Sequence, residues 1–255
     1  MGHIIALANQ KGGVGKTTSA VNIAASLGRL GKKTLLVDSD PQGNATSGVG
    51  VGRKQLASSL YDALIGRVKT EETVIKTQFD NLYLCGSDMS LAAAEFELVN
   101  VDNRESRMKN ALDGIKDSYD YIIIDCPPSL GILTINSLCA ADGVIIPMQC
   151  EYYALEGLSQ LIMTIRRVKQ LYNPKIDITG ILITMYNGRL SLSIQVLNEL
   201  KKYYADKIFS SSVPRNVRLS EAPSHGKPIY YYDRNSRGSW AYLEVAEEIV
   251  ERVEK

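Results

Sequence analysis

The side chains with the most chemistry to offer crowd into residues 10–18, which read QKGGVGKTT. Gly12, Gly13 and Gly15 let backbone N–H groups converge on an anion without a Cβ in the way. Lys16 sets an ammonium where β- and γ-phosphates gather charge, and the Thr17 hydroxyl is an oxygen ligand suited to Mg²⁺. Val14 and Thr18 complete the stretch. An apolar run, residues 3–8, precedes it as a short buried strand, and residues 19–27 follow with apolar side chains at helical spacing. Strand, glycine loop and helix is the setting a phosphate-binding loop requires, with the helix N-terminus adding partial positive charge.

Acids stand ready at two further strand ends. Apolar runs at 33–38 and 120–125 close on Asp38 and Asp125, with Asp40 two residues beyond the first. Ligands of open parallel sheets gather at the carboxyl ends of the strands. Asp125 ends the run YIIID, the form of a Walker B strand, and would hold Mg²⁺ through water. The following residues 126–129, CPPS, make a stiff exit that could sense a γ-phosphate.

These residues need a frame. Further strands are expected at 82–85, 143–147 and 178–184, with helices at 56–65, 89–98, 104–117, 130–140, 153–172, 190–204 and 239–253. Buried strands separated by amphipathic helices predict an α/β fold, a mostly parallel twisted sheet flanked by helices on both faces. At 255 residues and 45% hydrophobic content the chain can bury a large core. We expect one ATPase domain spanning 1–255, without leader peptide or N-terminal helix-turn-helix extension, and no apolar run reaches membrane-spanning length. The four cysteines form no C-x-x-C pair and predict buried reduced thiols, and two histidines leave little for a His-based metal site. Net charge is +1, yet residues 160–240 carry thirteen Lys/Arg against five Asp/Glu, so the remainder carries −7. One cationic face is a possible consequence.

The glycine loop departs from the common Walker A pattern in having Gln10 where the first glycine belongs and a second lysine, Lys11, after it. This form, K-G-G-x-G-K-[ST], resembles the deviant Walker A of the ParA/MinD/nitrogenase-iron-protein ATPases. Residues 36–46, LVDSDPQGNAT, resemble that group's switch I. Residues 149–161, QCEYYALEGLSQL, and 213–229, VPRNVRLSEAPSHGKPI, are similar to the chromosome-partitioning ATPases of the ParA/Soj type, and the resemblance runs nearly the length of the chain.

What the resemblance implies is specific. Lys11 reaches the nucleotide of a partner subunit, Asp40 positions the attacking water, and Asp38 supports the metal and the phosphate loop. Asn187 in TMYNGR contacts adenine, Pro214 flanks the base, and Glu151 reaches the partner's ribose. Arg189 and Arg218 bind DNA without sequence preference; Lys201 and Lys202 extend the patch, as does Arg215 unless it is structural. The implied protein is a slow Mg-dependent ATPase, cytoplasmic and nucleoid-associated. Its ATP-bound homodimer coats double-stranded DNA until a ParB/Spo0J-type centromere-binding protein stimulates hydrolysis. The resemblance leaves rivals: a MinD-like membrane-cycling ATPase, an ATP-dependent small-molecule ligase or kinase, and an iron–sulfur reductase. The acidic C-terminus, residues 242–255, argues against the first; Cys126 directly after Asp125 does not fit the last.

Overall fold

In the computed structural model, which describes residues 2–254 (Arg53 by its backbone alone), strands and helices alternate almost throughout. In chain order they are β1 (His3–Leu7), α1 (Lys16–Arg29), β2 (Thr34–Asp38), α2 (Asn44–Gly48), α3 (Leu60–Ile65), β3 (Val74–Lys76), β4 (Leu82–Cys85), α4 (Leu91–Glu97) and α5 (Arg107–Asp113). There follow β5 (Tyr121–Asp125), α6 (Ile132–Ala140), β6 (Gly143–Met148), α7 (Ala154–Leu171), β7 (Asp177–Ile183), α8 (Ser191–Tyr204), α9 (Val217–Glu221), α10 (Ile229–Tyr232) and α11 (Arg237–Val253). The strands form one sheet in the order β3-β4-β2-β5-β1-β6-β7, parallel except for β3.

The expected α/β sheet is therefore present, with β3 as an antiparallel edge strand that the sequence reading did not anticipate. Three residues give too short a run to show alternation, and β3 is only half-buried. The short helices α2, α9 and α10 were missed for the same reason of length. The central strands are buried on both faces, and their side chains divide by parity. Ile4, Ala6 and Ala8 enter a core under α3–α8, whereas Ile5 and Leu7 enter a second core under α1 and α11. All four cysteines are free and buried. Burial pushes the thiols of Cys85, Cys126 and Cys139 up to about 12, so they remain protonated and unreactive near neutrality.

Register delivers the acids to one place. Leu7 and Asp38 both pair with Asp125, so the ends of β1, β2 and β5 lie side by side. Strand β6 runs on past its last β1 partner, Leu7↔Ile145. Pro147 lies two residues farther along that edge, where no β1 residue remains to miss its N–H. Its carbonyl accepts the Asn9 side-chain amide at 2.8 Å. That bond ties the start of the glycine loop to the strand beside it.

Candidate functional site

Between β1 and α1 three carbonyl oxygens of the loop accept hydrogen bonds from side chains. Lys16 Nζ donates to Lys11 O at 3.0 Å, Gln149 Nε2 to Gly13 O at 2.8 Å, and Thr184 Oγ1 to Val14 O at 2.7 Å. Within a trans peptide the C=O and the next N–H point opposite ways. Anchoring the Gly13 and Val14 carbonyls therefore turns the N–H groups of Val14 and Gly15 away from Gln149 and Thr184. Gly13 and Gly15 take φ of +74° and +85°, which L side chains avoid. A Cβ added at Gly12 or Gly13 would meet nothing within 4 Å. No packing inside the chain fills that space, and the inward N–H groups make it a cradle for an anion.

Below the cradle lie a buried lysine and a carboxylate that the chain alone does not satisfy. Lys16 is 7% exposed. Burial lowers its pKa, partly offset by the negative charge of Asp125 and Asp40. Asp125 is fully buried, and neither of its oxygens has a partner in good hydrogen-bond geometry among the described residues, although the Thr17 hydroxyl lies near enough to favour its charged form. Burial and the Asp38 charge raise its pKa well above the usual carboxylate range, and the Thr17 hydroxyl beside it offsets this only in part. An orphaned carboxylate next to a threonine hydroxyl is the donor set of a hard cation. No cluster of three or more His, Cys, Asp or Glu that could hold a metal occurs among the described residues. A cation here would therefore take the rest of its ligands from water and phosphate, which suits Mg²⁺.

Asp38 is the opposite case. It accepts the Thr46 N–H and hydroxyl, each at 2.7 Å, and the Asp40 N–H at 3.2 Å. Burial nevertheless pushes its pKa up to about 6, against the lowering by those bonds. With its oxygens engaged, Asp38 ties the loop after β2 to the sheet. Thr46 Oγ1 also accepts from the Ser87 N–H at 2.9 Å, adding the loop after β4. Asp40 lies buried within this loop and accepts the Gln42 N–H at 2.9 Å. Ser137 on α6 donates to Ser39 Oγ at 3.3 Å, linking the loop to the helix that follows Asp125.

The residues assigned by resemblance ring this centre unevenly. Lys11 and Glu151, each placed toward a partner subunit, form an ion pair with one another in the single chain. Asn187 is exposed and its side chain accepts the Arg189 N–H at 3.1 Å. Pro214 bridges to Tyr186, so two loops leave that bridge together, one toward Arg189 and one toward Arg218. Both arginines are exposed. Arg218 pairs with Glu221 at 2.9 Å and Asp233 at 3.5 Å. Lys201 and Lys202 occupy the C-terminal end of α8, about 15–17 Å along the helix from its start near Arg189. The fold does not gather those lysines beside the arginines, and Lys202 pairs with Glu199 at 2.6 Å. Sequence reasoning passed over Asn9, Thr46, Gln149 and Thr184. Asn9, Gln149 and Thr184 are polar residues just past strand ends and Thr46 lies in the short helix α2; such positions also suit turn formers or helix caps, and only proximity in three dimensions reveals the partner.

Comparison with known proteins fits this geometry. The family model described as AAA domain matches residues 2–178. The chain is 55% identical to the sporulation initiation inhibitor protein Soj of Bacillus subtilis over 249 residues, covering 98% of each. It is 52% identical to the chromosome partitioning protein ParA of Myxococcus xanthus, covering 99% of this chain and 89% of that one. Among solved structures, one described as cobyrinic acid a,c-diamide synthase from Mycobacterium smegmatis, with bound ATP analogue and magnesium, superposes with a TM-score of 0.87. It is 37% identical and covers 97% of this chain and 93% of its own. A braced anion cradle, an orphaned acid beside Thr17 and full-length identity above one half lead to one assignment: the chain belongs to the Soj/ParA family of chromosome-partitioning ATPases.

Proposed function

We propose that this chain binds Mg·ATP in the cradle and hydrolyses it slowly, using the two nucleotide states to switch its hold on DNA. The observation that carries the reading is Asp125, buried without a partner beside Thr17 and Lys16. Thr17 and Asp125 would hold Mg²⁺, Asp125 through water, with Asp38 supporting from behind. When bound, Mg²⁺ supplies charge neutralisation at the β- and γ-phosphates. Gly12, Gly13, Val14, Gly15 and Thr18 line the phosphates, Asn187 and Pro214 the adenine. Lys16 brings positive charge to the γ-phosphoryl group as it is transferred. Asp40 orients the attacking water by hydrogen bonding. No strong general base stands by, which accords with a timer more than with a metabolic catalyst.

Lys11 and Glu151 then exchange their mutual ion pair for the nucleotide of a second copy, making the homodimer depend on ATP. The dimer binds double-stranded DNA through Arg189 and Arg218, with Lys201 and Lys202 as outlying contacts. A ParB-type partner stimulates hydrolysis and release, so the protein is cytoplasmic and nucleoid-associated. Membrane cycling is the weaker reading. The apolar face of α11, including Tyr242, Val245 and Ile249, is already buried in the core. No helix among the described residues is long and apolar enough to cross a membrane. The synthase name of one structural neighbour favours an ATP-dependent synthetase, but its 37% identity falls below the 55% to Soj.

The test is DNA binding by Asp40→Ala with ATP, with ADP and without nucleotide, across a salt series. The expected result is ATP-only, sequence-independent binding whose logarithm falls linearly with log salt. Arg189→Glu, made in the same background, should keep the dimer and lose at least about tenfold in DNA affinity. Binding that ignores the nucleotide, or an intact ATP dimer that never binds DNA, sinks the switch.

Thr184 allows a finer check of the cradle. Thr184→Val removes the donor to Val14 O and is expected to weaken ADP binding about five- to tenfold, the net worth of one buried hydrogen bond. Thr184→Ser should restore it. Calorimetric titration measures both, and equal affinities for all three proteins would remove Thr184 from the site.

A further inference from the structure

Between β7 and α8 the chain turns back on itself at residues 187–190, where the Leu190 N–H donates to Asn187 O at 3.1 Å. The Asn187 side chain folds onto the same turn, and its Oδ1 accepts the Arg189 N–H at 3.1 Å. Asn187 and Gly188 are both exposed, and the Gly188 N–H donates no hydrogen bond among the described residues. Of the asparagines in the chain, Asn187 alone is followed by glycine. Together these features set a nucleophile beside an electrophile. Attack of the Gly188 amide nitrogen on the Asn187 side-chain carbonyl carbon closes a five-membered ring, so the encounter is intramolecular. Gly188 has no Cβ to shield its nitrogen and turns more freely than any other residue would. The Arg189 N–H already lies against Oδ1, where negative charge gathers as the ring closes.

We propose that Asn187–Gly188 is a site of spontaneous modification, at which the chain converts its own asparagine to aspartate and isoaspartate. The bond that forms joins Gly188 N to Asn187 Cγ, and the bond that breaks is Cγ–Nδ2. The Gly188 amide proton passes through water to the departing nitrogen, which leaves as ammonia. Water then opens the succinimide. Attack at Cγ gives aspartate; attack at the main-chain carbonyl gives isoaspartate, in which the chain runs through the former side chain. What opposes ring closure is the turn. The Cα–C bond of residue 187 must rotate, which gives up the bond from the Leu190 N–H, and one such bond slows the reaction only about two- to tenfold. Either product bears on Arg189. Aspartate sets a carboxylate against the turn that presents the arginine, and isoaspartate makes the carbonyl that held Leu190 a free carboxylate. Weaker DNA binding by the converted protein is the consequence. It rests on the proposed role of Arg189; the modification itself does not.

The experiment incubates the full chain, warm and at mildly alkaline pH, without nucleotide or DNA. Mass spectrometry follows the proteolytic peptide that bears residue 187, and an isoaspartyl methyltransferase detects isoaspartate. The expected result is loss of ammonia and then uptake of water at Asn187, ahead of the exposed Asn44 and Asn235, which alanine and serine follow. Gly188→Ala should slow the reaction at least about tenfold by restricting residue 188 and crowding its nitrogen. The variant should keep the turn, since Gly188 does not take positive φ and a Cβ there would stand 3.4 Å from the Tyr186 ring. Wild type in urea should react no more than about tenfold faster than the folded chain, the weight of the turn bond. A folded chain that stays intact while the urea sample reacts overturns the proposal. So does a Gly188→Ala protein that reacts as fast as wild type, or faster conversion of Asn235 than of Asn187. Unchanged DNA affinity in the converted protein would overturn the consequence for Arg189 and leave the modification standing.

Discussion

Lys16→Met is expected to lower ATP turnover by about 10²–10³-fold, the usual cost of losing one preorganised charge at a site where negative charge develops. It should also abolish the thermal shift that ATP gives the wild type. The physical basis is the setting of the ammonium. Lys16 is 7% exposed, and burial lowers its pKa while Asp125 and Asp40 pull the other way. A cation kept in so dry a place is partly uncompensated until an anion arrives. Lys11 offers no substitute in this conformation, because it is paired with Glu151. Methionine keeps most of the stem and its packing, so the fold should survive. A ligand present at a hundredfold its Kd stabilises by about 2.7 kcal/mol, and 1 kcal/mol moves a chain of this size by about 2–4 °C. Wild type should therefore gain about 5–10 °C with saturating Mg·ATP by those two relations. Phosphate release and differential scanning fluorimetry measure the two effects. A variant that kept half the turnover, or the full thermal shift, would displace Lys16 from the phosphates.

Much of this arrangement can be read from the chain, for reasons that differ by element. Strands buried on both faces leave continuous apolar runs, so β1, β2 and β5 show in the sequence to within a residue or so at their starts. The glycine loop is legible because its neighbours on the chain are its neighbours in space. What stays hidden is whatever depends on register. That Asp38 and Asp125 share one rung follows from β2 lying beside β5, a neighbour separated by more than eighty residues. That Thr184 and Gln149 brace the loop depends on β6 and β7 ending beside it. Segments too short for a period, β3 and α9 among them, carry no pattern to find. The basic third of the chain shows the limit of charge counting: Arg218 and Lys202 each face an acid, and Lys201 and Lys202 lie at the far end of α8 from Arg189.

Asp125→Asn is expected to stabilise the nucleotide-free protein above neutral pH while abolishing its response to Mg²⁺. Asp125 and Asp38 sit on one rung with their pKa values raised, Asp38 to about 6. A carboxyl raised in the folded state binds its proton more tightly there than when unfolded. Its contribution is complete below the unfolded value near 3.8 and is lost as pH rises through the folded value. The nucleotide-free wild type should accordingly melt higher at pH 5 than at pH 8, against the usual trend for carboxylates that are lowered on folding. For Asp38 the shift from 3.8 to about 6 corresponds to about 3 kcal/mol at about 1.4 kcal/mol per unit. Asparagine at 125 removes the charge with the fewest partners and relieves the Asp38 beside it. At pH 8 the variant should melt about 2–6 °C above wild type, with a flatter pH profile. A divalent cation reverses the argument, since it stabilises the ionised form of Asp125. Wild type should lose its low-pH preference in Mg·ADP, whereas the variant should show the same profile with ADP whether or not Mg²⁺ is added. Melting curves at pH 5, 6, 7 and 8 with and without Mg·ADP decide the matter. A nucleotide-free wild type that melts lower at pH 5 than at pH 8 would mean that Asp125 has a partner in solution, and the orphaned carboxylate would no longer carry the assignment of the metal site.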